Sequence, residues 1–483
     1  MMKKTGIDAI SFYVPQLYVD LSELAEKRDI PFVKLNKGLG LNKMAFPDLN
    51  EDAASFAANA LMELIFANNI DPRTIGRIYL GTESALDAAK PTATYAIEAV
   101  ENELSNTFGE RSFKNCDVVD MTFACVGAVD ALHNSLDWVK NGNKRKAVVI
   151  ASDFAKYELS SAGEYTQGAG AVALLITENP SILSISNTWG VATKSVGDFF
   201  KPRRLFNKKE LLNETAELLG VKLSEEKSAA IINENSSTFW SDSNLNFELF
   251  KEEPVFDGPF SNDCYQERIN EALEHFNVQQ PTNILNEWEH LVFHLPYAFQ
   301  GRRMIVKTWL EWLKENNKLD ELINEIGELN QDNRSQWEKL ASKSSLYKEF
   351  VKTKIAPGEK ASSEIGNMYT ASIFMSLLSL LNISFESNID IKGNKIGFLS
   401  YGSGSKSKIF EGTIESPWKE KIMKSNLFKV LSNRKSINIE TYEKLHKNEL
   451  KKPVSTSSSI HLEKIETHSI NQMGFRKYSK SNG

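Results

Sequence analysis

The chain has 483 residues, 41% of them hydrophobic, and sets 57 Lys and Arg against 63 Asp and Glu for a formal charge of -6. Mixed signs near neutrality give no electrostatic basis for a nucleic-acid partner or a polybasic membrane anchor, and three cysteines exclude a disulfide framework. Asp8 and Ser11 interrupt any apolar run behind Lys3 and Lys4, and no stretch reaches the roughly 18 apolar residues of a membrane span. The expectation is a cytoplasmic globular protein with neither membrane nor nucleic acid as partner.

In chain order, Ile7 to Val14 reads as a strand closed by Pro15, and a helix runs from about Asp52 to Phe66. Ile75 to Leu80 is a buried strand entering Gly81-Thr82-Glu83-Ser84, followed by a helix over Pro91 to Leu104. Asp117 to Met121 is the next strand, Val126 to Val139 an amphipathic helix, and Lys146 to Ala151 and Ala169 to Ile176 are further strands. Strands alternating with helices predict an α/β layered fold. The stretches near 203–250 and 316–350 are polar and densely charged, and read as insertions. Between and beyond them, Glu289 to Leu295 is a strand, Ala371 to Leu381 a helix, and Lys395 to Tyr401 a strand entering Gly402-Ser403-Gly404-Ser405. Lys451 to Ser459 reads as a loop.

Three residues stand where chemistry is done. Cys125 follows a strand and opens a helix, where the macrodipole and free N–H groups favour thiolate; a buried structural cysteine is the commoner reading of such a residue alone. Glu83 ends an apolar strand, where partial burial raises a carboxyl pKa toward proton transfer; a capping carboxylate fits the same place. His294 lies in an apolar strand that stops at Pro296, which suits either a ligand-facing imidazole or a hydrogen-bonded core histidine. Asn367 opens a helix as a cap or a donor to a carbonyl, and the Gly402-Ser403-Gly404 turn offers backbone N–H groups to an oxyanion. HExxH, CxxC and GxSxG motifs are absent, and no metal site is predicted.

Taken in order, GTESALDAAKP around Glu83, DMTFACVGAVDAL around Cys125, YTQGAGAVALLI, DFFKP, FDGPFSNDCY, FHLPY around His294, GNMYTAS around Asn367 and FLSYGSGS around Ser403 resemble the 3-hydroxy-3-methylglutaryl-CoA synthases of the thiolase superfamily. The resemblance extends from near the start to about residue 410. It implies an αβαβα thiolase-like fold of two similar halves. Residues 1–178 would carry Glu83 and Cys125, and residues 179–483 would carry His294, Asn367, Ser403 and the two polar insertions.

It also implies a mevalonate-pathway acyltransferase in which Cys125 takes an acetyl group from acetyl-CoA. Glu83 serves as acid and base for carbon–carbon bond formation, and His294 orients acetoacetyl-CoA. Asn367, Ser403, Tyr265, Arg302 and Arg303 are the implied substrate-binding residues. No cofactor is implied beyond the coenzyme A thioesters themselves, and family members are commonly homodimers. One position departs from the family: a lysine near the coenzyme A phosphates is replaced by Phe299, with Arg302 and Arg303 just beyond. That departure leaves a relative acting on acyl carrier protein in polyketide β-branching as the alternative. A silent thiolase-fold scaffold is the alternative of another class. A thiolase proper would need a late C-x-G, whereas Cys264 is followed by Tyr265-Gln266, and a ketoacyl-ACP synthase III lacks a counterpart of Glu83.

Overall fold

Alternate residues of the central strands face different cores. In the computed structural model, Ala147, Val149 and Ala151 of strand Ala147–Ala155 enter one hydrophobic cluster, while Val148 and Ile150 enter a second. Strand Gly168–Glu178 divides the same way, with Val172, Leu174 and Ile176 on one side and Ala171, Ala173 and Leu175 on the other. In the C-terminal part, Ile396 and Phe398 of strand Lys395–Gly402 join the first cluster, whereas Leu399 and Tyr401 join a third. Strands buried on both faces read as continuous apolar runs rather than as alternations, which matches AVVIA and AVALLI.

The shared cluster holds the helices Gly127–Lys140 and Ser372–Glu386. Outside it, Ala53–Asn68 and Thr92–Phe108 cover the N-terminal strands, and Gly258–Gln279 covers the C-terminal ones. The result is helix, sheet, helix, sheet, helix: the thiolase-like layering. The two sheet layers are joined into one hydrogen-bonded network of ten strands by the short pairing of Thr5–Tyr13 with Leu183–Ile185. From its centre, Thr5–Tyr13, Gly168–Glu178 and Ala147–Ala155 pair antiparallel, then Arg77–Gly81 and Asp117–Met121 pair parallel. On the other side, Leu183–Ile185, Lys406–Ile414 and Lys395–Gly402 pair antiparallel, then His290–Phe293 parallel. Helices join the parallel strands, the outer helix Thr92–Phe108 between Arg77–Gly81 and Asp117–Met121 and the buried helix Ser372–Glu386 ahead of Lys395–Gly402, so the strand ends that carry chemistry point the same way.

The structure describes residues 4–234, 239–240, 244–329, 334–456 and 459–480. Two compact units are present, Met1–Asp198 with Gly258–Gly483, and Phe199–Asp257. The smaller unit contains a two-stranded ribbon, Arg204–Asn207 with Asn246–Leu249, and the helices Lys208–Leu218 and Glu225–Glu234; it embraces the first polar insertion. The second insertion is not merely a solvated face. Trp337 and Tyr347 from its helices Arg334–Ala341 and Ser345–Lys354 are buried with Trp309 in the third cluster. Part of the expected 451–459 loop lies outside the described residues, and beyond it the chain forms a hairpin, Ile460–Ile465 with Arg476–Lys480. No helix among the described residues is long and apolar enough to cross a membrane.

Candidate active site

The Cys125 loop is built by close backbone approach. Helix Gly127–Lys140 begins two residues after Cys125, and Ala124 just before it takes a left-handed conformation at φ 36°. A non-glycine residue there is strained, a condition that persists only where surrounding contacts enforce it. They do: Gly81, at the end of its strand, lies so near the helix start that a Cβ would fall 2.2 Å from the Ala128 nitrogen. Glu83 is therefore delivered beside the thiol, and Cys125 Sγ lies 3.2 Å from Glu83 Oε1. The cysteine is 7% exposed.

Asp153 organises this pair. It is fully buried, two residues before the end of strand Ala147–Ala155. Its Oδ1 accepts from Thr82 Oγ1 at 2.9 Å and from the Glu83 N–H at 2.8 Å. Its Oδ2 accepts from the Thr370 N–H at 3.1 Å, and Thr370 Oγ1 accepts from the Ala128 N–H at 2.8 Å. One carboxylate thus ties the Glu83 turn to the Asn367 loop, and Thr370 passes the connection to the Cys125 helix. The apolar run that marks this strand in the sequence ends at Ala151, two residues short of Asp153; an acid in an otherwise apolar strand is the signal that marks it.

His294 lies one residue past strand His290–Phe293 rather than inside it, yet its N–H continues the ladder to the Leu399 carbonyl at 3.1 Å. Its Nδ1 is 2.6 Å from Ser372 Oγ, the first residue of a buried helix. Burial drives the imidazole pKa down to about 3, against a hydrogen bond from the ring to the Tyr369 backbone that raises it. The ring is neutral at pH 7 and can polarise a carbonyl without carrying charge. Asn367 is buried, and its Oδ1 accepts from the Tyr369 N–H at 2.8 Å, so it shapes a 3-10 turn ahead of the helix instead of capping the helix itself. Tyr369, at φ 42°, and Tyr157 complete the wall. Burial, then the nearby Cys125 and Glu83, push the Tyr157 phenol up, so it stays protonated.

Residues 1–181 match the family model described as Hydroxymethylglutaryl-coenzyme A synthase N terminal, and residues 241–478 match its C-terminal counterpart. The chain belongs to this family. It is 28% identical to a hydroxymethylglutaryl-CoA synthase of Haloferax volcanii over 92% of this chain and 91% of the relative. It is 29% identical to one of Schizosaccharomyces pombe, over 91% and 89%. The solved structure of MvaS in complex with 3-hydroxy-3-methylglutaryl coenzyme A is similar over the full length of both chains, with a TM-score of 0.75 and 26% identity.

Within this hydroxymethylglutaryl-CoA synthase fold, Tyr265 lies behind His294 and is fully buried. Its hydroxyl donates to the His294 carbonyl at 2.8 Å and its ring packs 4.6 Å from that of Tyr401. Tyr401 in turn donates to Asp198 Oδ2 at 2.7 Å, and Asp198 Oδ1 accepts from the Gly404 N–H at 2.8 Å, which fixes the turn bearing half-buried Ser403.

Arg302 and Arg303 stand apart from the thiol, at a cavity of about 610 Å³ that they share with Lys37, Lys307, Lys339 and Phe299. Arg302 lies 3.6 Å over the Phe299 ring and is paired with buried Glu359. Arg303 donates to the Gly38 carbonyl at 2.6 Å and remains exposed. Arg302 and Arg303 are expected from the sequence, whereas Lys37, Lys307 and Lys339 are not, because the last two belong to or adjoin a stretch whose charges read as surface.

Proposed function

We propose that the chain condenses acetyl-CoA with acetoacetyl-CoA and water to give 3-hydroxy-3-methylglutaryl-CoA and free coenzyme A. Cys125 Sγ attacks the acetyl thioester and expels coenzyme A thiol, leaving acetyl-Cys125. Glu83 takes a proton from the acetyl methyl group, and the enolate carbon attacks the ketone of acetoacetyl-CoA. Glu83 returns the proton to the new alkoxide, and water then cleaves the thioester to Cys125. A methyl group beside a thioester is a weak acid, so the base needs oxyanion donors close by; the backbone N–H groups of Cys125 and Ser403 take that role. Neutral His294 and Asn367 orient acetoacetyl-CoA.

The observation that carries this reading is Glu83 Oε1 at 3.2 Å from Cys125 Sγ. A carboxylate that close to the sulfur reaches the methyl carbon of an acetyl group placed on it. All of these steps close with side chains and the two thioesters, and call for no further cofactor. The cavity at Arg303 gives the coenzyme A phosphates a basic lining in place of the family lysine. That lining favours coenzyme A over carrier protein as the acyl carrier.

Asp117–Met121 is a terminal strand of the sheet with Val119 37% exposed, which supports a homodimer joined edge to edge. The scarcity of cysteine, three in the whole chain, supports a cytoplasmic setting. The test supplies purified protein with acetyl-CoA and either acetoacetyl-CoA or acetoacetyl carrier protein, and identifies products by mass. Faster turnover on carrier protein would replace the coenzyme A reading, and no product with either would support the scaffold.

A further inference from the structure

A charged clamp grips the Cys125 loop from outside the groups assigned above. Lys406 opens strand Lys406–Ile414, immediately after the turn that carries Ser403. Its Nζ lies 4.0 Å from the centre of the Phe123 ring, two residues before Cys125. The same ammonium is 2.5 Å from Asp130 Oδ2, on the helix after Cys125. Lys408 Nζ takes the other carboxylate oxygen at 2.9 Å and also reaches His133 Nδ1 at 3.1 Å, with His133 stacked on Trp189 at 4.0 Å. Lys408 is thus anchored away from the loop, and Lys406 alone of the two touches both sides of the cysteine.

The backbones leave little room for error here. A Cβ on Gly402 would fall 2.8 Å from the Phe123 carbonyl oxygen and 2.9 Å from the Val126 nitrogen. The Ser403 turn therefore rests directly on the Cys125 loop. Two cations on one partly buried carboxylate leave an excess positive charge, which is costly without further partners; the face of Phe123 supplies one. The arrangement makes sense as a fastening between two segments that are remote in sequence and must meet at a fixed spacing.

We propose that Lys406 is a positioning residue for the condensation. By gripping Phe123 and Asp130 together it fixes the spacing between the Cys125 and Ser403 backbone N–H groups. The inference rests on the proposed function, since it presumes that these two groups face the developing oxyanion. Lys406 touches no reacting atom; it acts through the loop.

The test measures acetylation of Cys125 in a single turnover, together with steady-state kcat and KM, for Lys406→Met, Lys406→Arg, Phe123→Leu and the exposed control Lys444→Met. Misplacing reacting groups by a fraction of an ångström to an ångström costs up to about a hundred-fold, so Lys406→Met is expected to lower kcat by roughly ten- to a hundred-fold. KM for acetyl-CoA stays near the wild-type value. Lys406→Arg, which both stacks and pairs, restores most of the rate, Phe123→Leu reproduces the loss, and Lys444→Met matches wild type. Should Lys406→Met fail to fold, the arginine and Phe123 variants carry the test. Wild-type kcat in Lys406→Met, or a loss seen wholly in KM, overturns the clamp. Wild-type protein that never acetylates Cys125 overturns the proposed function instead, and the clamp's role with it.

Discussion

The carboxylate of Asp153 accepts the backbone N–H of Thr370 across 217 residues of sequence, at 3.1 Å, while its other oxygen holds the Glu83 N–H at 2.8 Å. Asparagine in its place keeps one accepting oxygen but presents an N–H₂ to one of these donors. An unsatisfied buried donor costs about 1–3 kcal/mol. Asp153→Asn should therefore lower the unfolding free energy in urea by about that amount. It should also slow condensation more than acetylation, because Glu83 is displaced while Cys125 keeps its own loop contacts.

The depressed pKa of His294 makes stability fall with acid. The unfolded imidazole binds a proton near pH 6.5 and the folded one only near 3, so between those values the unfolded state holds more protons and stability rises with pH. From pH 7 to 5 this group withdraws about 2 kcal/mol. His294→Gln should flatten that part of the curve, as read by denaturant midpoints at the two pH values, and an unchanged slope would assign the loss elsewhere.

Legibility differed residue by residue. Cys125, Glu83 and His294 were readable because each sits where a periodic apolar run ends, a local pattern. Asp153 was not, since its three acceptor bonds go to residues 71, 70 and 217 positions away and none leaves a mark on its neighbours. The fold class followed from alternating strand and helix runs, yet the 316–350 stretch read as surface because its charges outnumber Trp337 and Tyr347, which do the packing. The apolar run places His294 inside its strand, whereas the chain leaves the strand one residue earlier while keeping one ladder bond.

At the basic cavity, Arg303 and Lys339 are exposed side chains. An exposed ion pair contributes up to about 1 kcal/mol, roughly five-fold in affinity. Arg303→Met and Lys339→Met should each raise KM for acetyl-CoA by about that factor and less at high salt. Acetylation at saturating substrate should be unchanged, a split that stopped-flow acetylation resolves.

The terminal strand Asp117–Met121 carries the proposed edge-to-edge contact. Val119→Lys places a charge on that edge, which blunts strand pairing. Sedimentation velocity should show a dimer for the wild type and a monomer for the variant.

The proposed condensation requires Cys125 and Glu83 to act in sequence on one acetyl group. Intact-protein and peptide mass spectrometry after mixing with acetyl-CoA, then with acetoacetyl-CoA, tests this directly. Wild type should gain one acetyl group on the peptide containing Cys125 and lose it as 3-hydroxy-3-methylglutaryl-CoA forms. Glu83→Ala should gain the same group and form no product, and Cys125→Ala should gain none. An acetyl adduct that persists in Cys125→Ala, or normal condensation by Glu83→Ala, would contradict it.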